Sequence, residues 1–347
     1  MGARAKKTSG GKRIAIYIVI IVLLLAAAGA FMVFGPNTGT ITQTRYLYIR
    51  TGSTYDDVKS QLKENGYIAS LFSFDMLAQR AGYPTRIKAG KYKITPGMSN
   101  YNMVRMLRSG RQTPVKLVIN KLRTKQDLVN IISTNLEADS SQLKQILADN
   151  TYWATYNLDT NTAMCLIVPD TYEFYWNTSA DKTLKKLGNY YKEYWTPERH
   201  QKAEAHKLTQ QQAIVVGSIV EEETNKNDEK GNVASVYINR LRKNMKLQAD
   251  PTVKFAVGDF TLRRITGVHL QTESPYNTYK VSGLPPGPIC TPSKKTMEAV
   301  LNSPETQYMY FCAKEDFSGY HRFATNYADH MKNARLYQQA LNARNIH

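Results

Sequence analysis

The sequence predicts an α+β fold in three parts: a single N-terminal transmembrane helix, a small β-α-α-β module, and a larger mixed α/β domain. Three observations carry this reading. Residues 14–34 form an apolar stretch of 21 side chains without a charge, and about 20 are needed to cross a bilayer. Short alternating segments, YLYIR at 46–50 and IKAGKYKITPG at 87–97, have the period of two that marks strands. Beyond residue 113, capped helical segments alternate with isolated strands and with Pro/Gly-rich loops. The boundaries expected are 1–13 for a cytoplasmic tail, 14–34 for the membrane helix, 35–45 for a linker, 46–112 for the module and 113–347 for the larger domain.

Arg4, Lys6, Lys7, Lys12 and Arg13 precede the apolar stretch, and the next ten residues, GPNTGTITQT, carry no charge. This asymmetry puts the N-terminus in the cytoplasm and the bulk of the chain outside. A cleaved signal peptide is the competing reading, with Ala28-Gly29-Ala30 as its small-residue site. The apolar run exceeds the roughly 7 to 15 residues of a signal h-region, which favours an uncleaved anchor.

In the module, Thr54 opens a helix as N-cap with Asp57 three residues on, and Gly66 closes it. A second helix covers 71–81 and stops at Gly82, and the strand that follows breaks at Pro96-Gly97. The β-α-α-β order over 46–97 resembles a LysM-type glycan-binding module. A short helix then ends at Gly110, the strand VKLVIN (115–120) leads into a helix capped at Thr124, and another helix follows near 140–149. The strand-then-capped-helix pattern of 46–65 and 115–136 reads as a weak internal repeat.

Composition narrows the function. Cys165, Cys290 and Cys312 form no C-x-x-C pair and are odd in number, so neither a disulfide scaffold nor a zinc ribbon is expected. No H-E-x-x-H, G-x-S-x-G or P-loop sequence occurs, and no metal or cofactor site is expected. Net charge is +18, from 46 Lys and Arg against 28 Asp and Glu. Between Asp75 and Asp127 there are twelve basic residues, Arg80 to Lys125, and no acidic one. Such a surface attracts a polyanion. No nucleic-acid-binding motif accompanies it, and the external location expected of the chain points instead to anionic phospholipid head groups or to the carboxylates of peptidoglycan stem peptides, with a merely solubilising face as the alternative.

Trp153, Trp176 and Trp195 fall among many tyrosines between 152 and 195. Aromatics at this density build a core. Within PDTYEFYW, alternation directs Tyr172, Phe174 and Trp176 inward and leaves Thr171, Glu173 and Tyr175 to line a groove.

The segment AIVVGSIVEEET (213–224) ends an apolar helix in three consecutive glutamates. At 3.6 residues per turn Glu223 lies over Ile219, Val220 and Val216, the buried stripe. Desolvation raises the pKa of a carboxyl there and holds it protonated, the state a general acid needs. A structural ion pair with Arg240 or Arg242 is the alternative. Glu221 projects elsewhere, and Glu222 is expected to face solvent. In NVASVYINRLRKNM (232–245), the apolar line of Ala234, Ile238, Leu241 and Met245 carries Asn239 and Arg240 to the helix flank, as candidates for holding Glu223 or a sugar hydroxyl. Pro251 breaks the helical path at Asp250, and Gly283, Pro285, Pro286 and Gly287 fix an irregular loop taken as a groove wall.

These segments, with LQADPTV (247–253), PYNTY (275–279) and GLPPGPI (283–289), closely resemble the bacterial endolytic murein transglycosylases. The resemblance is strong over 213–330 and looser over 45–176. It implies an inner-membrane, single-pass enzyme with a periplasmic catalytic domain, which cuts the β-1,4 bond between N-acetylmuramic acid and N-acetylglucosamine in nascent peptidoglycan. It also implies association with cell-elongation synthases. Its catalytic Glu, the second of Glu-x-Glu-Thr, falls on Glu223. Its motif positions make Glu221, Asn239, Arg240, Gln248, Asp250, Tyr276, Asn277 and Tyr279 the substrate-binding or supporting residues. Two departures stand out: Glu222 occupies a position where Lys is common, and FTLRRITGVHLQTE (260–273) is unlike the family.

In such enzymes one Glu protonates the leaving oxygen and then deprotonates the muramic 6-hydroxyl, giving a 1,6-anhydro end without water. An ordinary glycosidase needs a second carboxylate roughly 5 to 9.5 Å away, and Asp250 and Glu273 are the candidates for one. A catalytically inactive glycan-binding scaffold and a two-carboxylate muramidase are the alternative functions.

Overall fold

The computed structural model describes residues 10–39, 41–262 and 264–344. Arg4, Lys6 and Lys7 of the charge asymmetry lie outside them. The chain divides into two compact units, one of Met1–Val115 with Glu173–Thr178, the other of Lys116–Tyr172 with Ser179–His347.

The first unit begins with α1 (Gly10–Phe34). Within it Gly11–Phe34 is long and apolar enough to cross a membrane, with its side chains unburied by protein. Then come β1 (Arg45–Ile49), α2 (Tyr55–Glu64), α3 (Leu71–Arg80), β2 (Gly90–Ile94) and α4 (Asn100–Ser109). This is the strand-helix-helix-strand order read from the sequence. Thr54 and Asp57 form the expected capping box. β1 and β2 pair antiparallel with Leu47 opposite Tyr92. Their alternate residues Leu47, Ile49, Tyr92 and Ile94 pack on Val58, Leu62, Phe74 and Leu107. Each such fully buried side chain contributes roughly 1.5 to 3 kcal/mol, which is why the period-two pattern sets the register.

The second unit is mostly helical. It takes in β3 (Val115–Ile119) from Lys116 on, α5 (Lys125–Asn135), α6 (Ser140–Ala148), α7 (Asn150–Ala154), β4 (Asp170–Phe174) as far as Tyr172, α8 (Ala180–Tyr194) and α9 (Pro197–Ala205). These lead to α10 (Gln210–Glu223), α11 (Lys230–Arg242), α12 (Asp250–Val257), α13 (Gly267–Leu270), α14 (Lys294–Leu301), the strands β5 (Tyr310–Ala313) and β6 (His321–Ala324), and α15 (Tyr327–Ala343). Strands pair only in twos among the described residues: β1 with β2, β3 with β4, β5 with β6. Thr124 and Asp127 cap α5 as the sequence predicts. Trp153, Trp195, Tyr172, Phe174, Tyr191 and Tyr194 are buried, as expected of a core, while Tyr175 is exposed.

Pro251 acts differently from the expectation. The chain does leave the helical path after Arg242, but Asp250-Pro251 opens α12, because a proline in the first turn lacks only an N–H that would have had no intrahelical partner.

Candidate active site

Helix α10 is the centre of the second unit. Thr209 and Gln212 form its capping box, and every residue from Ala213 to Val220 is buried. Gly217 makes this possible, since a Cβ there would lie 2.6 Å from Sδ of Met297 on α14. Thr224, in extended conformation, ends the helix immediately after the three glutamates.

Because the helix has no open side, all three carboxylates need partners, and they find different ones. Oε2 of Glu221 accepts from the Ser293 amide at 3.2 Å and hydroxyl at 2.9 Å, and from the Thr296 hydroxyl. It also pairs with Lys230 Nζ at 3.3 Å. Burial opposes ionisation there, but the Thr296 and Ser293 hydrogen bonds and the Lys230 charge hold the carboxyl below its ordinary value. Glu222 is not the solvent-facing residue its register suggests. Its two oxygens pair with Lys121 at 2.9 Å and Arg123 at 3.0 Å, which outweigh burial and keep it ionised.

Among the described residues no cation forms an ion pair with Glu223. Its Oε1 accepts from the Tyr237 hydroxyl at 2.5 Å. Burial pushes its carboxyl up to about 7, against the lowering effects of the Tyr237 hydrogen bond and of Lys254 and Arg240, with the negative charge of Asp250 adding to the rise. A cavity of about 200 Å³ opens over it, lined also by Tyr237, Arg240, Gln248, Asp250 and Tyr279, with Leu247 and Phe311 as apolar wall.

The wall is built from several elements. Tyr237 and Arg240 lie three residues apart on α11 and so share a face. Arg240 does not pair with Glu223: Nε donates to the Met309 carbonyl at 2.7 Å and Nη1 to that of Leu247 at 2.8 Å. It thereby ties the start of β5 and the 247–250 turn to the same helix. Phe311 of β5 meets the Tyr237 ring edge-on at 5.9 Å. Gln248 has φ of +50°, a left-handed conformation that costs about 1 kcal/mol or more in a non-glycine residue. Its amide donates to the Thr278 carbonyl, and the next amide, of Ala249, to the Thr278 hydroxyl. The Tyr279 hydroxyl donates to Asp250 at 2.6 Å.

The sequence profile of the YceG-like family matches residues 47–336. The chain belongs to the YceG-like family. It is 30% identical over 291 residues to a Bacillus subtilis (strain 168) protein named endolytic murein transglycosylase, over 77% of this chain and 78% of that one. It is 23% identical over 323 residues to a protein of the same name in Streptococcus pneumoniae serotype 2, over 82% of this chain but 57% of that longer one. The crystal structure of a YceG-like protein from Listeria monocytogenes superposes with a TM-score of 0.54 at 26% identity, covering 84% of this chain and 99% of that chain.

The remaining motif residues of this YceG-like chain lie around the cavity without lining it. Asn239 Nδ2 donates to the Thr306 and Tyr308 carbonyls. Asn277, fully buried, donates to those of Leu270 and Thr272 and accepts from the Tyr279 amide, fixing the turn that presents Tyr279. Tyr276 packs on Phe255 at 4.7 Å between ring centroids. In the 283–289 loop, Gly283 has φ of +83°, and a Cβ at Gly287 would lie 2.1 Å from the Asn161 carbonyl oxygen. In the unusual 260–273 segment, Phe260 lies under the Arg123 guanidinium at 5.0 Å, beside the Glu222 ion pairs. Sequence reasoning passed over Tyr237, Leu247 and Phe311. Tyr237 carried a signal, its spacing of three from Arg240; Phe311 carried none, being brought in by the β5–β6 hairpin.

Proposed function

We propose that this chain is an endolytic lytic transglycosylase of peptidoglycan with Glu223 as its single general acid and base. The observation that supports this reading best is a carboxyl held near neutrality at the base of a polar cavity, between neighbours locked in their ionised form by cations. Near pH 7 Glu223 is protonated in a large fraction of molecules, so it donates to the glycosidic oxygen between N-acetylmuramic acid and N-acetylglucosamine as the bond breaks. The resulting carboxylate takes the proton of the muramic 6-hydroxyl, whose oxygen closes on C1. The product is a 1,6-anhydromuramic end, and Glu223 is left protonated for the next cycle. Tyr237 positions the carboxyl, and Gln248, Asp250, Tyr279 and Arg240 supply the polar walls for sugar hydroxyls.

A two-carboxylate muramidase is the second reading, favoured by Asp250 sharing the cavity with Glu223. Asp250 already accepts from Tyr279, which suits an orienting role better than activation of a water. Mass spectrometry of digested glycan strands separates the readings. Ends lighter by one water support the transglycosylase, reducing ends the hydrolase, and no new ends a binding scaffold.

The apolar helix α1 serves in this reading as a membrane anchor with its N-terminus cytoplasmic, holding the catalytic unit in the periplasm beside nascent strands. There, cleavage terminates elongation next to the synthases. The strand-helix-helix-strand module, in a LysM-like role, holds glycan.

A further inference from the structure

The basic stretch from Arg80 to Lys125 takes no part in the cavity over Glu223. A larger cavity, about 530 Å³, lies within the first unit between α3 and α4. Its apolar side is formed by Leu77, Ala81 and Val104, and its polar side by Arg86, Arg105 and Arg108. Arg105 and Arg108 are three apart on α4 and share a face. Among the described residues the ion pairs of this unit are those of Lys59 with Asp56 and Asp75, so the three exposed arginines converge on the cavity with their charge uncompensated.

The cavity is also fixed next to the end of α1. Tyr101, which lines it, meets Phe34, the last residue of α1, at 5.5 Å between ring centroids. The adjacent Asn100 is buried and donates to the Met32 carbonyl at 2.9 Å and to Ser73 of α3, while accepting from Asn37 at 2.6 Å. Pro36 bridges to Ser99. These contacts leave no free linker between the apolar helix and the cavity. Arginine guanidinium groups bind phosphate oxygens in bidentate fashion.

We propose that the α3–α4 cavity binds the phosphate head group of an anionic phospholipid in the leaflet where α1 emerges. The inference rests on α1 as a membrane span and not on the chemistry of Glu223, so its test reads binding rather than cleavage. The full chain in dodecyl maltoside is titrated with dioctanoyl phosphatidylglycerol, followed by native mass spectrometry and calorimetry. Saturable binding of one lipid is expected, weakened at least about tenfold, the equivalent of one lost charge-assisted contact, in a variant with Arg86→Gln, Arg105→Gln and Arg108→Gln. Arg105→Gln alone, checked for an unchanged melting temperature, is expected to give part of that loss even if the triple variant misfolds. Lys93→Gln, outside the cavity, is expected to give none. Equal binding of dioctanoyl phosphatidylcholine, equal binding of inorganic phosphate, or competition by an acidic tripeptide with the affinity of the lipid would each overturn the proposal. So would an equal loss in the Lys93 variant, or retention of full affinity by both arginine variants.

Discussion

The Tyr237 hydroxyl donates to Oε1 of Glu223 at 2.5 Å, placing a neutral donor where the two preceding glutamates have ammonium or guanidinium groups. A cation at that position would hold Glu223 ionised and remove the proton that the proposed chemistry transfers. A hydroxyl orients the carboxyl while leaving its pKa high.

Glu223→Gln keeps the size and most of the hydrogen-bonding shape but has no transferable proton. Cleavage of glycan strands is expected to fall at least about 100-fold, the lower end of general acid catalysis, with circular dichroism unchanged. Retained activity would remove Glu223 from the mechanism.

The same substitution has a stability signature. The Glu223 carboxyl is raised from 4.5 to about 7, so between these values the folded state binds more protons than the unfolded state. Wild-type stability therefore falls as pH rises through that window. Glu223→Gln escapes this loss, and at pH 8 it is expected to be more stable than wild type by about 1 to 3 kcal/mol. The gap narrows toward pH 5 in denaturant titrations. A gap that widens toward acid would contradict the raised pKa.

Tyr237→Phe removes the hydrogen bond that lowers the Glu223 pKa. The descending alkaline limb of the rate profile is expected to move to higher pH, while the maximal rate drops because the carboxyl is less well oriented. A limb that stays in place with the rate reduced would make Tyr237 a packing residue only.

Glu221→Gln leaves Lys230, whose side chain is 6% exposed, without its counter-charge. Breaking such a pair is expected to cost about 3 kcal/mol, somewhat less than a fully buried pair, and to be read as a lower denaturation midpoint. Activity measured well below that midpoint should stay within a fewfold of wild type. A loss as large as that of Glu223→Gln, at unchanged stability, would reassign the acid to Glu221.

Replacing residues 1–34 by a cleavable signal tests the anchor. Activity on soluble glycan is expected to persist while complementation in cells is impaired, and full complementation by the released form would argue against tethering.

Much of this was legible from local physics. The capping boxes at Thr54 and Thr124, the alternation of 46–50 and 87–97, and the apolar run of 14–34 depend on neighbouring residues alone, and each carries its predicted element, the second strand shortened to Gly90–Ile94. Gln248, Asp250 and Tyr279 came instead from the resemblance of LQADPTV and PYNTY to the family's motifs, and the fold brings all three to one cavity. The face of α10 was a different matter. Helical periodicity ranks Glu221, Glu222 and Glu223 by which side is buried, yet α10 is buried on every side from Ala213 to Val220 and burial opposes ionisation of all three carboxyls, so the helix face alone does not set which of them stays ionised. The partners do: Lys230 from α11 for Glu221, Lys121 and Arg123 from the segment after β3 for Glu222, and an uncharged tyrosine for Glu223. Those partners come from up to about a hundred residues away, and electrostatic energy depends on distance in space and on local dielectric rather than on separation along the chain. The sequence alone determined that a carboxylate would be buried at the end of this helix. Only the tertiary structure decided which of the three was denied a cation and so kept its proton.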